Sequence, residues 1–204
     1  MRIRDSGMPD AKVWEGFFEP CRILAQLAFA GGRGDVAEFG CGYGTFTVAA
    51  AARTTGTVHA FDIDPVMVRT VAARASAAGL GNVRVEPRDF VADGTGLPDA
   101  SVDSAMLFNI LHADDPVGLL REANRVLRPG GKAAVIHWIH DPATPRGPDL
   151  AIRPRPEQCA AWLRQAGFEV DMPTISLPPW HYGMVGAKPV PSNRDAGTVA
   201  ASVR

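Results

Sequence analysis

Short apolar runs alternate along the chain with longer segments whose apolar positions recur at helical spacing. The short runs predict buried strands, and the helical spacing predicts helices between them. The predicted strands are Val36–Phe39, Val58–Ile63, Val83–Val85, Ser104–Phe108 and Lys132–Trp138. The predicted helices are Phe46–Ala52, Pro65–Ala78, Pro116–Leu127 and Pro156–Ala166. Strands that alternate with helices predict an α/β fold: a mostly parallel sheet with helices on both faces.

The two ends of the chain complete this pattern. Helical spacing extends from Pro9 to Ala30, and Pro20 divides that segment because a proline inside a helix loses a hydrogen bond and clashes with the preceding turn. Near the other end, Phe168–Val170 and Trp180–Val185 predict a final antiparallel pair, which brings the sheet to seven strands. In such a sheet the ligand site lies at the carboxyl ends of the strands, where the strand order reverses.

A glycine-rich turn joins the first predicted strand to the next helix. The segment VAEFGCGYGTF passes through Gly40, Gly42 and Gly44. Glycines let the backbone turn tightly and approach a bound cofactor without a side-chain clash. Asp62 follows 22 residues after Gly40, at the end of the next strand. A carboxylate at that place can accept hydrogen bonds from both hydroxyls of a ribose.

The spacing of these glycines separates two classes of cofactor. A dinucleotide fingerprint puts its third small residue where this chain has Thr45, whereas the third glycine here comes one position earlier, at Gly44. Glu38, just before the glycines, would place negative charge near a diphosphate and suits the ammonium of an amino acid better. The turn therefore favours S-adenosylmethionine over a nicotinamide cofactor.

The chain resembles the class I S-adenosylmethionine-dependent methyltransferases of the small-molecule, type 11-like kind, from Val36 to Trp138. The resemblance implies a Rossmann-like, doubly wound, mostly parallel seven-stranded sheet with a C-terminal antiparallel hairpin and helices on both faces. The segments that carry it, in order, are EFGCGYG, FDIDP, RDF, LPDASVDSAMLFNILH and REANRVLRPGGKAAVIHW.

The resemblance also implies a role for each residue of a cofactor site. Gly40, Cys41 and Gly42 would face the methionine part, with Glu38 nearby, and Asp62 would bind the ribose hydroxyls. The remaining implied contacts are Ile63 and Asp89 with Phe90, on the adenine, and Asn109, beside the methionine and the transferred methyl group. Plainer readings exist: Asp89 as a turn residue, Asp64 as the N-cap of the helix that Pro65 opens, and Asn109 as a structural residue.

The acceptor side is less defined by sequence. His112, His137, His140 and His181 all fall near the expected mouth of the site, where a histidine can act as a base near neutral pH. We predict His140 and His181 as the catalytic pair, because both lie in segments expected to border the acceptor. Each could equally be a hydrogen-bonded structural histidine.

Two further segments could either contact the acceptor or have a purely structural role. The proline-rich loop 137–156 carries Arg146, Arg153 and Arg155, which could bind an anionic acceptor or lie in solvent. The aromatics Trp14 and Phe17 with Phe18, before the first strand, could cover the acceptor or pack their helix onto the sheet, and packing is the simpler interpretation.

Composition bounds the remaining classes. The chain has 204 residues, 46% of them apolar and 21% charged, with a formal net charge of −1, so no basic field for nucleic acid is expected. Three separated cysteines match no metal-ligand spacing and favour a reducing compartment. No signal peptide or membrane span is expected, so we predict a cytoplasmic protein with no metal.

The predicted organisation is one domain, residues 1–188, followed by a flexible tail, residues 189–204. Within the domain we expect an N-terminal helical cap (1–34), a cofactor-binding core (35–138), and an acceptor-side loop with a C-terminal hairpin (139–188).

We therefore predict an enzyme that transfers the methyl group of S-adenosylmethionine to a small-molecule acceptor by in-line displacement. The segment LFNILH lacks both the Asn/Asp-Pro-Pro-aromatic tetrad of amide and exocyclic-amine methyltransferases and the cysteine of cytosine C5 methyltransferases. The acceptor atom, O, N, C or S, stays open. The rival interpretations are a catalytically silent S-adenosylmethionine-binding or scaffold protein and a nicotinamide-dependent oxidoreductase.

Overall fold

A single seven-stranded sheet organises the chain, as seen in a computed structural model that describes residues 9–27, 29, 32–171 and 174–191. The strand order is β3-β2-β1-β4-β5-β7-β6. The strands are β1 (Val36–Phe39), β2 (Val58–Asp62), β3 (Val83–Pro87), β4 (Val102–Phe108), β5 (Leu127–Trp138), β6 (Ile175–Leu177) and β7 (His181–Ala187). The first five strands pair in parallel, and β7 pairs antiparallel with both β5 and β6. The predicted fold class is confirmed.

Seven helices accompany the sheet in the described part of the chain. They are α1 (Ala11–Glu15), α2 (Pro20–Gln26), α3 (Thr45–Ala51), α4 (Pro65–Ala77), α5 (Phe90–Asp93), α6 (Pro116–Val126) and α7 (Pro156–Gln165). Proline opens α2, α4, α6 and α7, because the first turn of a helix does not need the missing N–H. A 3-10 turn, Leu150–Ile152, interrupts the loop between β5 and α7.

The sequence placed the last antiparallel pair on the wrong segment. Phe168–Val170 forms no strand; Glu169 makes one isolated bridge to Ala187, while Phe168 is buried in the core. The partner of β7 is β6, which alternates apolar, polar and apolar residues and reaches β7 through a short turn. A turn of that length brings neighbouring segments together directly, which favours β6 over the more distant Phe168 segment.

Side chains of the central strands alternate between two apolar layers. Leu107 and Val135 pack with α6 and α7, whereas Met106 and Ile136 pack with α2 and α3. The strand order reverses between β1 and β4, which are neighbours in the sheet. From β1 the chain continues to β2 and β3 on one side, and from β4 it continues to β5 on the other side. The carboxyl ends of β1 and β4 therefore form the crevice in which an α/β sheet binds its ligand.

The predicted domain boundaries stay a prediction. Most of the predicted tail, from residue 192 onward, lies outside the described residues. No helix of the described segments is both long and apolar enough to cross a membrane.

Candidate active site

The glycine turn follows β1 and folds back over the end of β2. Gly40, Gly42 and Gly44 all have positive φ, at 76°, 50° and 77°, a conformation that side chains disfavour. The amides of Gly40 and Cys41 both donate to the Phe61 carbonyl at 2.9 Å. These bonds, with the Gly44 amide donating to the Cys41 carbonyl at 2.9 Å, fix a tight turn at the amino end of α3.

Asp62, the last residue of β2, joins this turn to the neighbouring strand. Its carboxylate accepts hydrogen bonds from the amides of Gly42 at 2.8 Å and Asp64 at 3.0 Å. Partial burial raises the pKa of Asp62, while these two amides oppose the shift. An ionised carboxylate offers about four lone-pair sites, so it can also accept from ribose hydroxyls as predicted.

Glu38 lies on β1 directly beneath the glycine turn and is 3% exposed. The Thr47 hydroxyl donates to its carboxylate at 2.5 Å. Burial raises the pKa of Glu38 to about 8; the Thr47 hydrogen bond opposes this shift and the nearby Asp62 charge adds to it. A buried acid with this pKa is suited to a cationic ligand, which would replace the lost hydration. Thr47 was missed from sequence, although a buried glutamate needs a donor and Thr47 lies on the adjoining helix.

Three residues near the predicted adenine site, Asp64, Asp89 and Phe90, already make contacts within the protein. Asp64 caps α4, accepting from Val66 N at 2.7 Å, which confirms it as an N-cap. Asp89 caps α5, accepting from Ala92 N at 3.1 Å, and is partly buried. The Phe90 ring is buried against Phe39, with ring centroids 5.6 Å apart, so only its backbone is free for a ligand.

Ile63, the other predicted adenine contact, follows Asp62 directly and is partly exposed. Its role, with those of Asp89 and Phe90, stays a prediction. In the structure, the carboxyl ends of β2 and β3 lie at the same edge of the sheet as the glycine turn.

Asn109, which follows β4, has a buried side chain without hydrogen-bond partners among the described residues. It follows β4 with φ of 58°, a strained value for a residue other than glycine. The backbone N–H of Asn109 donates to the Ile136 carbonyl at 2.8 Å, which fixes the backbone. Both polar atoms of its side chain are buried and have no hydrogen-bond partner among the described residues. Strain together with an unpaired buried amide is costly, and a ligand at this crevice would satisfy it.

These groups fit S-adenosylmethionine. The cluster combines an acid for an ammonium (Glu38), an acceptor for a ribose (Asp62), a glycine turn and an unpaired amide (Asn109) at one switch point. Bound there, the cofactor would supply an activated methyl group on a sulfonium.

An aromatic cluster lies where β5 ends and β7 begins, and it is formed by Trp14, Phe17, Phe18, Trp138 and His181. Phe18 contacts Trp14 and His181 at ring centroid distances of 4.9 and 4.6 Å. Phe17 contacts Trp138 at 5.2 Å, and Trp138 contacts His181 at 4.2 Å. The interpretation that these aromatics pack the N-terminal segment onto the sheet is supported, since the rings contact the ends of β5 and β7.

The two predicted catalytic histidines differ in their surroundings. His140 Nδ1 lies 2.9 Å from the Arg153 carbonyl, so this ring is anchored to its own loop. His181 is buried, and its Nε2 has no partner in the described segments. Burial, with a smaller effect of the Arg153 charge, lowers the pKa of His181 to about 3. Their catalytic role stays a prediction, and a pKa this low weakens His181 as a base.

Two other histidines pair across the ends of β4 and β5. The rings of His112 and His137 lie 5.6 Å apart in an edge-to-face arrangement. His137 is fully buried with both ring nitrogens unpaired among the residues described, and the same holds for His112 Nδ1. Burial lowers the pKa of His112 to about 4 and that of His137 well below its usual value.

Among the three loop arginines, only Arg153 turns inward. Arg146 and Arg155 are exposed, whereas Arg153 is 7% exposed and donates to several carbonyls of loop 139–148. The sequence alone gave no way to choose among them. Within the described residues, no group of three His, Cys, Asp or Glu side chains could hold a metal ion.

Comparisons with known proteins agree with this geometry. A family model described as "Methyltransferase domain" matches residues 36–131. The chain is 31% identical, over 184 residues, to a ubiquinone biosynthesis O-methyltransferase of Xanthomonas oryzae pv. oryzae, covering 78% of this chain and 72% of that one. It is 33% identical, over 142 residues, to a nocamycin O-methyltransferase of Saccharothrix syringae, covering 69% of this chain and 50% of that one.

The fold has close counterparts among solved structures. A SAM dependent methyltransferase from Aquifex aeolicus superposes with a TM-score of 0.76 at 23% identity, covering 87% of this chain and 93% of that one. With the relatives above and a crevice that fits the cofactor, the chain belongs to the class I S-adenosylmethionine-dependent methyltransferases, enzymes that transfer a methyl group from S-adenosylmethionine.

Proposed function

We propose that this methyltransferase methylates an oxygen of a small-molecule acceptor. The observation that carries the proposal is the 31% identity, across most of both chains, to a relative named as a ubiquinone biosynthesis O-methyltransferase. The shorter match to a nocamycin O-methyltransferase supports the same acceptor atom. The aromatic cluster at the mouth of the crevice fits an acceptor with an apolar, planar body.

The cofactor residues take the roles that their surroundings support. Glu38 would face the ammonium, Gly40, Cys41 and Gly42 the methionine part, and Asp62 the ribose hydroxyls. The adenine would lie between Ile63 and the Asp89–Phe90 segment. Asn109 would pair with the methionine part through its unsatisfied amide.

Catalysis in such a site comes mainly from positioning. The leaving group is already activated, so holding an acceptor oxygen in line with the methyl group can lower the barrier by on the order of 7–11 kcal/mol. Phe18, Trp138 and His181 of the aromatic cluster are buried, and such apolar surroundings would keep water away from that line. The acceptor would be small, because Phe17 and Phe18 pack onto Trp138 and His181 at the ends of β5 and β7 and leave little room there.

A catalytically silent binding protein is the second candidate. One observation favours it: Phe18 and Phe17 pack directly on His181 and Trp138, so the acceptor side is closed in this conformation. Binding of an acceptor then requires α1 and α2 to move away from the ends of β5 and β7.

Methyl-labelled S-adenosylmethionine separates the two candidates. The protein would be incubated with the labelled cofactor and a panel of hydroxylated aromatic compounds and carboxylic acids, and the products identified by mass spectrometry. O-methylation predicts a labelled methyl ether or ester together with an equal amount of S-adenosylhomocysteine. Tight cofactor binding with no labelled product from any compound would favour the silent candidate, and a labelled N-methyl or C-methyl product would refute the choice of oxygen.

A further inference from the structure

The strand β3 forms one edge of the sheet, and the outer side of its backbone is open. It stands at the end of the strand order, beside β2. The Asn82 carbonyl accepts from β2 at 2.9 Å and the Arg88 amide donates to β2 at 2.7 Å. Because backbone groups alternate in direction along a strand, the N–H and C=O of Val83 and Val85 and the C=O of Pro87 point outward. No segment of the described chain is hydrogen-bonded to these outward groups, and an open edge of this kind can pair with another strand.

Two opposite charges lie on this edge strand. Arg84 and Glu86 are both exposed, and they share one face of β3 because side chains alternate along a strand. Among the residues that the structure describes, no ion pair includes either side chain. Opposite charges two residues apart make the strand complementary to a second copy of itself that runs in the opposite direction.

One antiparallel register matches both the charges and the backbone groups. With Val85 opposite Val85 of a second copy, Arg84 of each copy lies opposite Glu86 of the other. In this register the two Val85 residues exchange a pair of hydrogen bonds, and each Val83 N–H reaches the Pro87 carbonyl of the other copy. The charged residues then occupy the non-hydrogen-bonded positions, where side chains of neighbouring strands lie closest.

Other registers are disfavoured by the same residues. A slide of two residues in either direction sets Arg84 opposite Arg84, or Glu86 opposite Glu86, and like charges directly opposite destabilise a strand pair. A slide of one residue turns the outward backbone groups of one copy away from those of the other. Pro87 has no N–H to donate, so the pairing ends there. Charges of a single sign would repel a second copy in every register, whereas this pair admits one.

A groove beside the same strand leaves room for a second copy. It is open, measures about 420 Å³ and lies between β3 and α4. How closely two helices can approach depends on the side chains between them, and those of α4 along this groove are small. A two-fold axis perpendicular to the sheet would bring the α4 helices of both copies together on this face. The lining includes Ala72, Ala75, Ser76, Gly79, Val83 and Val85.

We propose that two copies of this chain associate through β3 into a dimer with two-fold symmetry, in which their sheets join as one. The interface is self-complementary, because each copy contributes the same residues to it. Arg84 pairs with Glu86 on both sides of the axis, and the backbone hydrogen bonds close the open edge. The inference is independent of the acceptor atom and of the cofactor site, so its test needs neither ligand.

Sedimentation equilibrium of the full chain, over a range of concentrations at low salt, measures the association. The wild type should approach twice the 21.7 kDa mass of one chain as the concentration rises. Arg84→Glu and Glu86→Arg each place like charges opposite one another on both sides of the axis. Each of these single variants should therefore dimerise about tenfold or more weakly than the wild type.

Mixing the two single variants tests the register itself. One variant carries two acids at these positions and the other carries two arginines, so the charges are again complementary between unlike copies. The mixture should form a mixed dimer about as strong as the wild-type dimer. Arg121→Glu is the matched control, because it reverses an exposed charge on α6, away from β3, and should dimerise like the wild type. Circular dichroism verifies that each variant is folded.

Three results would overturn the inference. The first is a wild type that stays monomeric over the whole concentration range. The second is a dimer whose strength is unchanged in both single variants, which would place the interface elsewhere on the molecule. The third is a pair of weakened variants that mixing does not restore, which would contradict the opposition of Arg84 and Glu86.

Discussion

Glu38 makes the affinity for S-adenosylhomocysteine depend on pH. In the free protein, burial raises the pKa of Glu38 to about 8, so roughly nine-tenths of the side chains are protonated at pH 7. A bound ammonium would favour the carboxylate and lower that pKa. Binding at pH 7 therefore releases close to one proton, on the proposed assignment of Glu38 to the ammonium.

The size of the effect follows from the same pKa. At pH 6 about 1% of Glu38 is ionised in the free protein, and at pH 8 about half is. If the bound form stays ionised across this range, affinity tightens roughly 50-fold from pH 6 to pH 8, or about 2 kcal/mol. Glu38→Gln removes the titrating group, so its affinity should be weaker at pH 8 and nearly independent of pH.

Calorimetry in two buffers of different ionisation enthalpy measures the released protons directly. Glu86→Gln is the matched control, because it neutralises an exposed acid on β3 and should release protons as the wild type does. The reasoning is refuted if the wild type releases no proton at pH 7, or if Glu38→Gln keeps the wild-type affinity and pH dependence.

Three further changes test separate parts of the account. Asp62→Ala should weaken S-adenosylhomocysteine binding about tenfold or more in calorimetry, by removing the ribose acceptor and the brace on the glycine turn; unchanged affinity in a folded variant would contradict the ribose assignment. Gly44→Ala should lower the free energy of unfolding, measured in urea, by about 1–3 kcal/mol, because φ is 77° and the new Cβ would lie 3.0 Å from a Val71 methyl. The control Gly79→Ala has a similar φ of 69° but open space around the new Cβ, so it should lower the free energy of unfolding by less. Equal losses in the two variants would refute the contact argument. His181→Ala should leave the acidic limb of the pH–rate profile in place, since a histidine with a pKa of about 3 is a poor base at neutral pH; loss of that limb in His181→Ala or in His140→Ala would identify the base predicted from sequence.

The stability of the free protein also depends on pH through the raised pKa of Glu38. Its pKa is higher in the folded protein than the ordinary value of 4.5, so the folded state holds a proton that the unfolded state has lost. Stability is therefore full below about pH 4.5 for this group and declines as the pH rises toward 8. A bound ligand whose ammonium stabilises the Glu38 carboxylate would oppose this loss of stability at higher pH.

The sheet could be predicted from sequence because its central strands are continuous apolar runs. β1 begins and ends at the predicted residues, and Pro65 and Pro116 mark the starts of α4 and α6. The four-residue helix α5 was missed, since one turn is too short for any periodic pattern. The C-terminal hairpin was assigned the wrong partner because Phe168–Val170 and β6 are both short and both alternate apolar, polar and apolar residues, so only the tertiary pairing separates them.

The cofactor side of the site was also accessible from sequence, but the acceptor side was not. Glycine spacing and the acid after β2 form a local pattern with a known physical purpose. The burial of Arg153, unlike that of Arg146, depends on how the loop after β5 folds on itself. The unpaired atoms of Asn109 and His137 are likewise visible only once the strands are in register.

A crystal structure of the protein with S-adenosylhomocysteine tests the central claim most directly. The account predicts the ligand across the carboxyl ends of β1, β2 and β4. Both ribose hydroxyls should lie within about 3.5 Å of the Asp62 carboxylate, with the ammonium near Glu38 and the Asn109 amide paired to the methionine part. A ligand bound elsewhere, or an Asn109 side chain still unpaired beside a bound ligand, would contradict the account.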